Sequence, residues 1–288
     1  MDASSILSAR RADVDRELAV ILGRSEATLF QAMRYAVLGG GKRFRPLLLL
    51  SAGEALRAER ALLLPFACAV EFIHNYSLVH DDLPSMDDDD MRRGRPSCHK
   101  AFGEDVALLA GDGLLTLAFE VMAGAPLPEA LEPRRAAVIR EMARKSGAEG
   151  MIEGQYRDIR TGPAEVNETS YGELIGMKTG GLIVASVRSG GLLAGGSAAE
   201  LEALADYGAH VGLAFQLRDD ILDAAAEKAK AGTFRPNSVA LYGEDGARRR
   251  LEGHVDAAAE ALGRASIGSG ELRALAVMLL TVKEDLGS

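Results

Sequence analysis

Three observations predict an all-α protein. Ala and Leu dominate the chain while Val, Ile and Thr are scarce and Trp is absent, a balance that favours helix over strand. Apolar residues recur at helical rather than alternating spacing along most of the sequence. Glycine and proline punctuate those periodic stretches without opening a long flexible linker.

The elements follow in order. Ala12 to Leu22 places Val14, Leu18, Ile21 and Leu22 on one face, and Thr28 to Leu38 does the same with Leu29, Met33, Ala36 and Val37. Gly39, Gly40 and Gly41 stop the second helix. Leu47 to Ala58 and Leu62 to His80 are more uniformly apolar and read as buried helices. Gly103 to Met122, Pro133 to Arg144, Tyr171 to Leu193 and Ala198 to Ala224 are further helices, with Ala247 to Leu262 and Glu271 to Leu286 closing the chain. Breaks fall at Gly124 to Pro133, Thr161 to Glu168 and Lys230 to Asn237. No internal repeat or low-complexity tract divides residues 1–288, which read as one domain.

Composition excludes several classes. With 48% apolar and 26% charged residues, the chain has enough apolar content for a core and too much for disorder. A formal charge of −9 argues against a nucleic-acid surface. The N-terminus lacks the basic and apolar segments of a signal peptide. The longest apolar run, Ala61 to Val70, holds Pro65 and falls well short of the roughly 20 residues of a membrane span. Cys68 and Cys98 read as free thiols of a reducing compartment, so a cytoplasmic location is expected.

The informative stretch is His80-Asp81-Asp82-Leu83-Pro84-Ser85-Met86-Asp87-Asp88-Asp89-Asp90, which follows an apolar helix directly. Carboxylates this close repel one another, and a divalent cation relieves the repulsion. A second cluster, Gln216-Leu217-Arg218-Asp219-Asp220-Ile221-Leu222-Asp223, lies on another largely apolar helix. Asp219 and Asp223 are four residues apart and share a face, where like charges destabilise a helix unless something binds them. Oxygen donors without His or Cys at ligand spacing suit Mg²⁺, whose other partner is commonly a phosphate. Basic groups stand ready for that anion. Lys42, Arg43 and Arg45 follow a glycine turn at the start of a helix, Arg92 and Arg93 follow the first acidic run, and Lys178-Thr179-Gly180-Gly181 interrupts an apolar helix. His80 reads as a core histidine; His74 reads equally as core or site.

These residues resemble the trans-prenyltransferases, the short-chain isoprenyl diphosphate synthases of the bacterial farnesyl and geranylgeranyl type. Gly-Gly-Lys-Arg-Phe-Arg-Pro, Asp-Asp-Leu-Pro-Ser-Met-Asp with Arg-Arg following, Gly154-Gln155, Lys178-Thr179-Gly180 and Phe-Gln-Leu-Arg-Asp-Asp-Ile-Leu-Asp occur in that family's order over residues 28–225. The resemblance implies ten or more helices around a deep cavity (the isoprenoid synthase fold) and a homodimer. It implies Asp81, Asp82 and Asp87 facing Asp219, Asp220 and Asp223 across three Mg²⁺, with Mn²⁺ as a substitute. It places Lys42, Arg45, His74 and Arg93 at an isopentenyl diphosphate site, and Arg43 with them in the stretch Lys42 to Arg45 that grips diphosphate. Arg92, Lys178 and Gln216 fall on the allylic diphosphate, and Thr179 beside a developing cation.

Tyr76, five residues and about 7 Å before Asp81 along a helix axis, resembles the floor residue of C15 producers; packed core ring is the other reading. Arg235-Pro236-Asn237-Ser238-Val239 instead resembles a C20 variant. The segment Ala224 to Gly232 and the non-basic end Lys283 to Ser288 also depart from the family pattern. Terpene cyclases share the first aspartate motif, but Asp219 to Asp223 and Lys42 to Arg45 argue against them; two intact motifs argue against a non-catalytic partner subunit.

Overall fold

The structure is a computed structural model that describes residues 3–161, 167–227 and 237–281. Thirteen α-helices account for nearly all of the described elements. They are α1 (Ala3–Leu22), α2 (Thr28–Leu38), α3 (Phe44–Ala55), α4 (Arg60–Asp81), α5 (Cys98–Phe102), α6 (Glu104–Gly124) and α7 (Glu132–Ser146), then α8 (Met151–Arg160), α9 (Glu168–Ile175), α10 (Gly181–Ala194), α11 (Ala198–Glu227), α12 (Ser238–Arg264) and α13 (Gly270–Val277). The all-α expectation therefore holds, and α2 has the predicted bounds.

Two apolar cores meet at α3 and α10. One gathers the buried faces of α1, α2, α4, α6 and α7, including Leu18, Phe66, Phe72, Leu114 and Met142. The other gathers α11, α12 and α13, including Tyr207, Val211, Leu251 and Leu272. Helix α4 is the axis of the first core; Pro65 sits in its second turn, where only one backbone hydrogen bond is forfeited. By length and composition both α4 and α6 could cross a bilayer, contrary to the reading of the apolar runs. Two-thirds of the most apolar part of α4 is buried within the protein, which marks it as a core helix; for α6 the share is 39%.

Three local structures escaped the sequence reading. Residues Met91–Arg92 and Arg95–Pro96 form a minimal antiparallel hairpin, β1 and β2. Arg93 (φ 53°) and Gly94 (φ 73°) turn it with positive φ at both positions, the signature of a type I′ turn. Helix α8 was read as a motif and not as an element. The stretch Tyr171 to Leu193 is two helices separated by a π-helical turn, Gly176–Gly180.

That π turn is held by close backbone approach from both sides. A Cβ on Gly154 of α8 would lie 2.4 Å from the Lys178 amide nitrogen, and one on Gly212 of α11 would lie 2.7 Å from the Gly180 Cα. Backbone atoms cannot swing aside as a side-chain end can, so both positions require glycine. Gly154→Ala is expected to lower unfolding free energy by about 1–3 kcal/mol in urea denaturation, despite alanine's helix-propensity advantage of roughly 1 kcal/mol. A variant as stable as the parent would show that the π turn is not clamped at α8.

Candidate active site

A cavity of about 810 Å³ opens between α4, α8, the π turn, α11 and the start of α3. Its apolar wall includes Tyr76, Leu78, Met86, Met151, Ile152, Ile159 and Phe215. Its polar wall brings together Lys42, Arg45, His74, Asp81, Arg92, Arg93, Lys178, Thr179, Gln216 and Asp219. These residues come from five separate stretches of sequence.

Asp81 is the last residue of α4 and Asp82 is its C-cap. The Asp87 amide folds back to the Asp81 carbonyl at 2.9 Å, so the first acidic run is a tight turn and not a solvated tail. Burial, with Asp87 and Asp82 alongside, pushes the Asp81 carboxyl up to about 7 against the opposing pull of Lys178 and Arg92. Asp219, low in the cavity wall though its side chain is 37% exposed, is pushed up to about 6, again chiefly by desolvation with Asp223 and Asp220 adding to it. Oxygen donors that are desolvated and mutually repelling fit a hard divalent cation.

The other predicted aspartates occupy different positions. Asp82 is buried, and the Arg92 guanidinium grips it through Nε at 3.0 and 3.3 Å and through Nη2. Asp220 is buried beneath the cavity surface, where it accepts from Tyr171 Oη, from Gln216 Nε2 at 2.8 Å and from the Ser238 amide at 2.6 Å. Asp87 is half-buried and Asp223 exposed; neither is in the cavity lining.

The basic groups are ordered by the same turns. Gly41 has φ +128°, and a Cβ there would meet the Arg93 guanidinium at 3.0 Å. Arg93 donates to the Gly40 carbonyl at 2.7 Å, which ties the β1–β2 hairpin to the glycine turn. Arg45 is buried at the start of α3, and its Nη1 lies 3.4 Å from His74 Nε2. Burial lowers the Arg45 guanidinium to about 10. Burial first, and then Arg45, Arg93, Arg43 and Arg92, hold His74 well below the usual histidine range, so it is neutral with Nε2 available as an acceptor. Lys178 is paired with Asp158 of α8, and the Thr179 hydroxyl donates to Gln216 Oε1 at 2.9 Å.

One expectation is overturned. Arg43 was placed with the substrate groups, but it is 3% exposed and faces the core. Its guanidinium donates to Glu71 at 2.8 Å, to Asp15 at 2.7 Å and to the Val37 carbonyl at 2.8 Å. Arg43, the N-cap of α3, has a left-handed backbone with φ 52°, while Lys42 and Arg45 line the cavity. The sequence reading also missed Asp158, the partner of Lys178, and Arg218, which donates to Asp219 at 3.2 Å. Asp158 lies four residues after Gly154, but no residue near it in sequence shows that Lys178 would reach it. His80 has a partner, with Nε2 2.9 Å from the Leu108 carbonyl, but it is half-buried and lines the cavity, not the core that was expected.

The sequence and fold agree with known proteins over nearly their whole length. The Polyprenyl synthetase family model matches residues 26–234. A farnesyl diphosphate synthase of Geobacillus stearothermophilus is 40% identical over 283 residues, covering 94% of this chain and 95% of that one. A heterodimeric geranylgeranyl pyrophosphate synthase large subunit of Arabidopsis thaliana is 44% identical over 213 residues, 73% of this chain and 57% of that one. Among solved structures, an FPP/GFPP synthase of Zymomonas mobilis superposes with a TM-score of 0.87 at 34% identity, covering 96% of this chain and 98% of the other. An all-α cage whose apolar cavity carries carboxylates on two helices and cations between them defines an enzyme of the isoprenoid synthase fold. The chain belongs to the polyprenyl synthetase family.

The raised carboxyls of Asp81 and Asp219 give a pH test. Between about pH 4 and pH 7 the folded protein keeps protons that the unfolded chain has lost, so these two groups make it less stable as pH rises through that window. A divalent cation needs the deprotonated form and removes the repulsion. The rise in melting temperature on adding Mg²⁺ is therefore expected to be larger at about pH 8 than at about pH 5.5. An equal rise at both, measured by differential scanning fluorimetry, would show that neither carboxyl is part of the metal site.

Proposed function

We propose that this transferase condenses isopentenyl diphosphate with an allylic diphosphate, dimethylallyl or geranyl, head to tail, and that its product is farnesyl diphosphate (C15). Geranylgeranyl diphosphate (C20) is the alternative, favoured by the geranylgeranyl synthases among the relatives and by the Arg235-Pro236-Asn237 sequence. The observation that carries the reading is the single cavity in which Asp81 and Asp219 share an apolar chamber with Lys42, Arg45, Arg92, Arg93 and Lys178. Asp81, Asp87, Asp219 and Asp223 would hold the divalent cations, three Mg²⁺ with Mn²⁺ able to substitute, while Asp82 and Asp220 fix the positions of Arg92 and Gln216. Bound Mg²⁺ would neutralise the allylic diphosphate and make it a leaving group.

The chain's own groups then have distinct tasks. Arg92 and Lys178 exchange Asp82 and Asp158 for diphosphate oxygens as the allylic substrate enters. Lys42, Arg45 and Arg93, with neutral His74 between the latter two, bind the second diphosphate. The C–O bond ionises to an allylic cation, the double bond of isopentenyl diphosphate attacks it, and a proton leaves. His74 is a poor base for that proton, because four arginines oppose a positive charge on it. The departing pyrophosphate takes it. The apolar wall from Tyr76 to Phe215 excludes the water that would quench the cation.

A homodimer in the cytoplasm completes the reading for residues 1–288 as a single unit. The exposed apolar pair Leu108 and Leu109 on α6 supports self-association, and two buried free thiols, Cys68 and Cys98, suit a reducing compartment.

Asp81→Ala and Asp219→Ala are each expected to lower kcat by at least about 100-fold while leaving the far-ultraviolet circular dichroism of the parent. Near-normal Mg²⁺-dependent turnover by either purified variant would defeat the assignment. Tyr76 is buried at the cavity wall, with its ring edge-on to His80 at 5.7 Å. If it is the floor, Tyr76→Ala lengthens the product by one or more C5 units in chromatographic sizing; an unchanged length assigns the ring to packing alone.

A further inference from the structure

We propose a second metal site, formed by Asp88, Asp90 and His99 and selective for a divalent transition ion of the Zn²⁺ class. One carboxylate oxygen from each aspartate and a ring nitrogen of His99 all lie within 4.8 Å of one another. None of the three lines the large cavity. The aspartates are exposed, and alone they would be an ordinary solvated pair. His99 makes the difference. Its side chain belongs to a residue only 5% exposed, and its Nε2 is shut off from solvent with no hydrogen-bond partner. Buried imidazole nitrogens are seldom left unpaired, because each such atom forfeits its hydration.

The surroundings set the state of that nitrogen. Ser97 Oγ lies 3.0 Å from His99 Nδ1, and Ser97 is itself buried. If Nδ1–H donates to Ser97, the lone pair is on Nε2, the arrangement that a second partner gives to a metal-bound histidine. The Ser97 amide also donates to the Asp90 carbonyl at 2.9 Å, so the backbone that carries Asp90 and the ring of His99 are positioned by one residue. Asp88 has φ 52°, a left-handed conformation that aspartate adopts more readily than most residues, with its amide on the Leu83 carbonyl at 3.1 Å. Lys100 Nζ takes one oxygen of Asp90 at 2.8 Å, leaving the other for a ligand.

Donor chemistry separates this site from the one in the cavity. Carboxylates alone suit Mg²⁺, whereas an imidazole among them shifts preference to Zn²⁺, Fe²⁺ or Mn²⁺. Three protein donors leave positions for water. The site also closes a loop. Asp88 and Asp90 precede the β1–β2 hairpin and His99 follows it, so an ion there staples the segment that presents Arg92 and Arg93.

Binding can be read without substrate, so the test stands apart from the prenyl-transfer reading. Chelator-treated protein is titrated calorimetrically with ZnCl₂ while Mg²⁺ is in large excess, and Co²⁺ is used as a visible-absorption probe. One Zn²⁺ per chain is expected, with Co²⁺ bands that report nitrogen coordination. The exposed double variant Asp88→Asn/Asp90→Asn and the single variant His99→Gln are each expected to weaken that binding by at least about 10-fold. Asp81→Asn/Asp219→Asn is expected to retain it. No bound Zn²⁺ in the parent, binding that survives Asp88→Asn/Asp90→Asn, or binding lost in Asp81→Asn/Asp219→Asn would each overturn the proposal.

Discussion

Ending a buried helix on two aspartates is unfavourable twice over. The C-terminus of α4 carries the negative end of the helix dipole, and the apolar core around α4 removes the water that would solvate a carboxylate. Asp81 shows the result, its carboxyl pushed up to about 7. Much of the surrounding structure answers that penalty. Arg92 returns across the hairpin to Asp82, and Lys178 is brought into the field of Asp81 by the π turn. Asp219 repeats the arrangement from the middle of α11, with Arg218 and Lys42 as the opposing charges.

The cations are held in check in the same way. Arg92 rests on Asp82 and Lys178 on Asp158. Each carboxylate keeps its cation at the cavity wall, positioned and satisfied. A chain of formal charge −9 thus carries a cluster of cations around its cavity. The net charge sums every residue and hides their distribution, while the cavity is lined by Lys42, Arg45, Arg92, Arg93 and Lys178.

How much was legible in the sequence depended on how local the determining forces were. Helix α2 could be read to the residue because its apolar spacing and the following glycines are both local signals. The hairpin could not, since two-residue strands carry no periodicity and its turn depends on Arg93 adopting positive φ. Helix α8 was hidden because much of its apolar content, Ile152, Tyr156 and Ile159, faces the open cavity or solvent. Among the site residues, Lys42, Arg45, Arg92, Arg93 and Lys178 were found from type and neighbourhood. Arg43 differs because its partners Asp15 and Glu71 lie 28 residues away on either side, and spacing within the motif cannot show that. Most of the departures after Asp223, and those after Thr281, fall outside the described residues. Within them, Asn237 accepts from the Ala240 amide as the N-cap of α12, and the Ser238 amide reaches Asp220.

The last point explains why the aspartates come in pairs. Consecutive residues on a helix are separated by about 100°, and in each pair here the two carboxylates have different surroundings. Asp81 and Asp219, the first of each pair, line the chamber. Asp82 and Asp220, the second of each, are buried and bound by protein donors: Arg92 in one case, Tyr171, Gln216 and the Ser238 amide in the other. The donors they hold are themselves cavity residues or lead to one. Arg92 lines the wall, and Gln216 lines it while accepting from Thr179. Each Asp-Asp pair thus couples one exposed carboxylate to one that fixes its neighbours in place. Asp82 and Asp220 therefore order the groups around the lining carboxylates, a role that depends on partners 10 to 49 residues away and that spacing alone does not reveal.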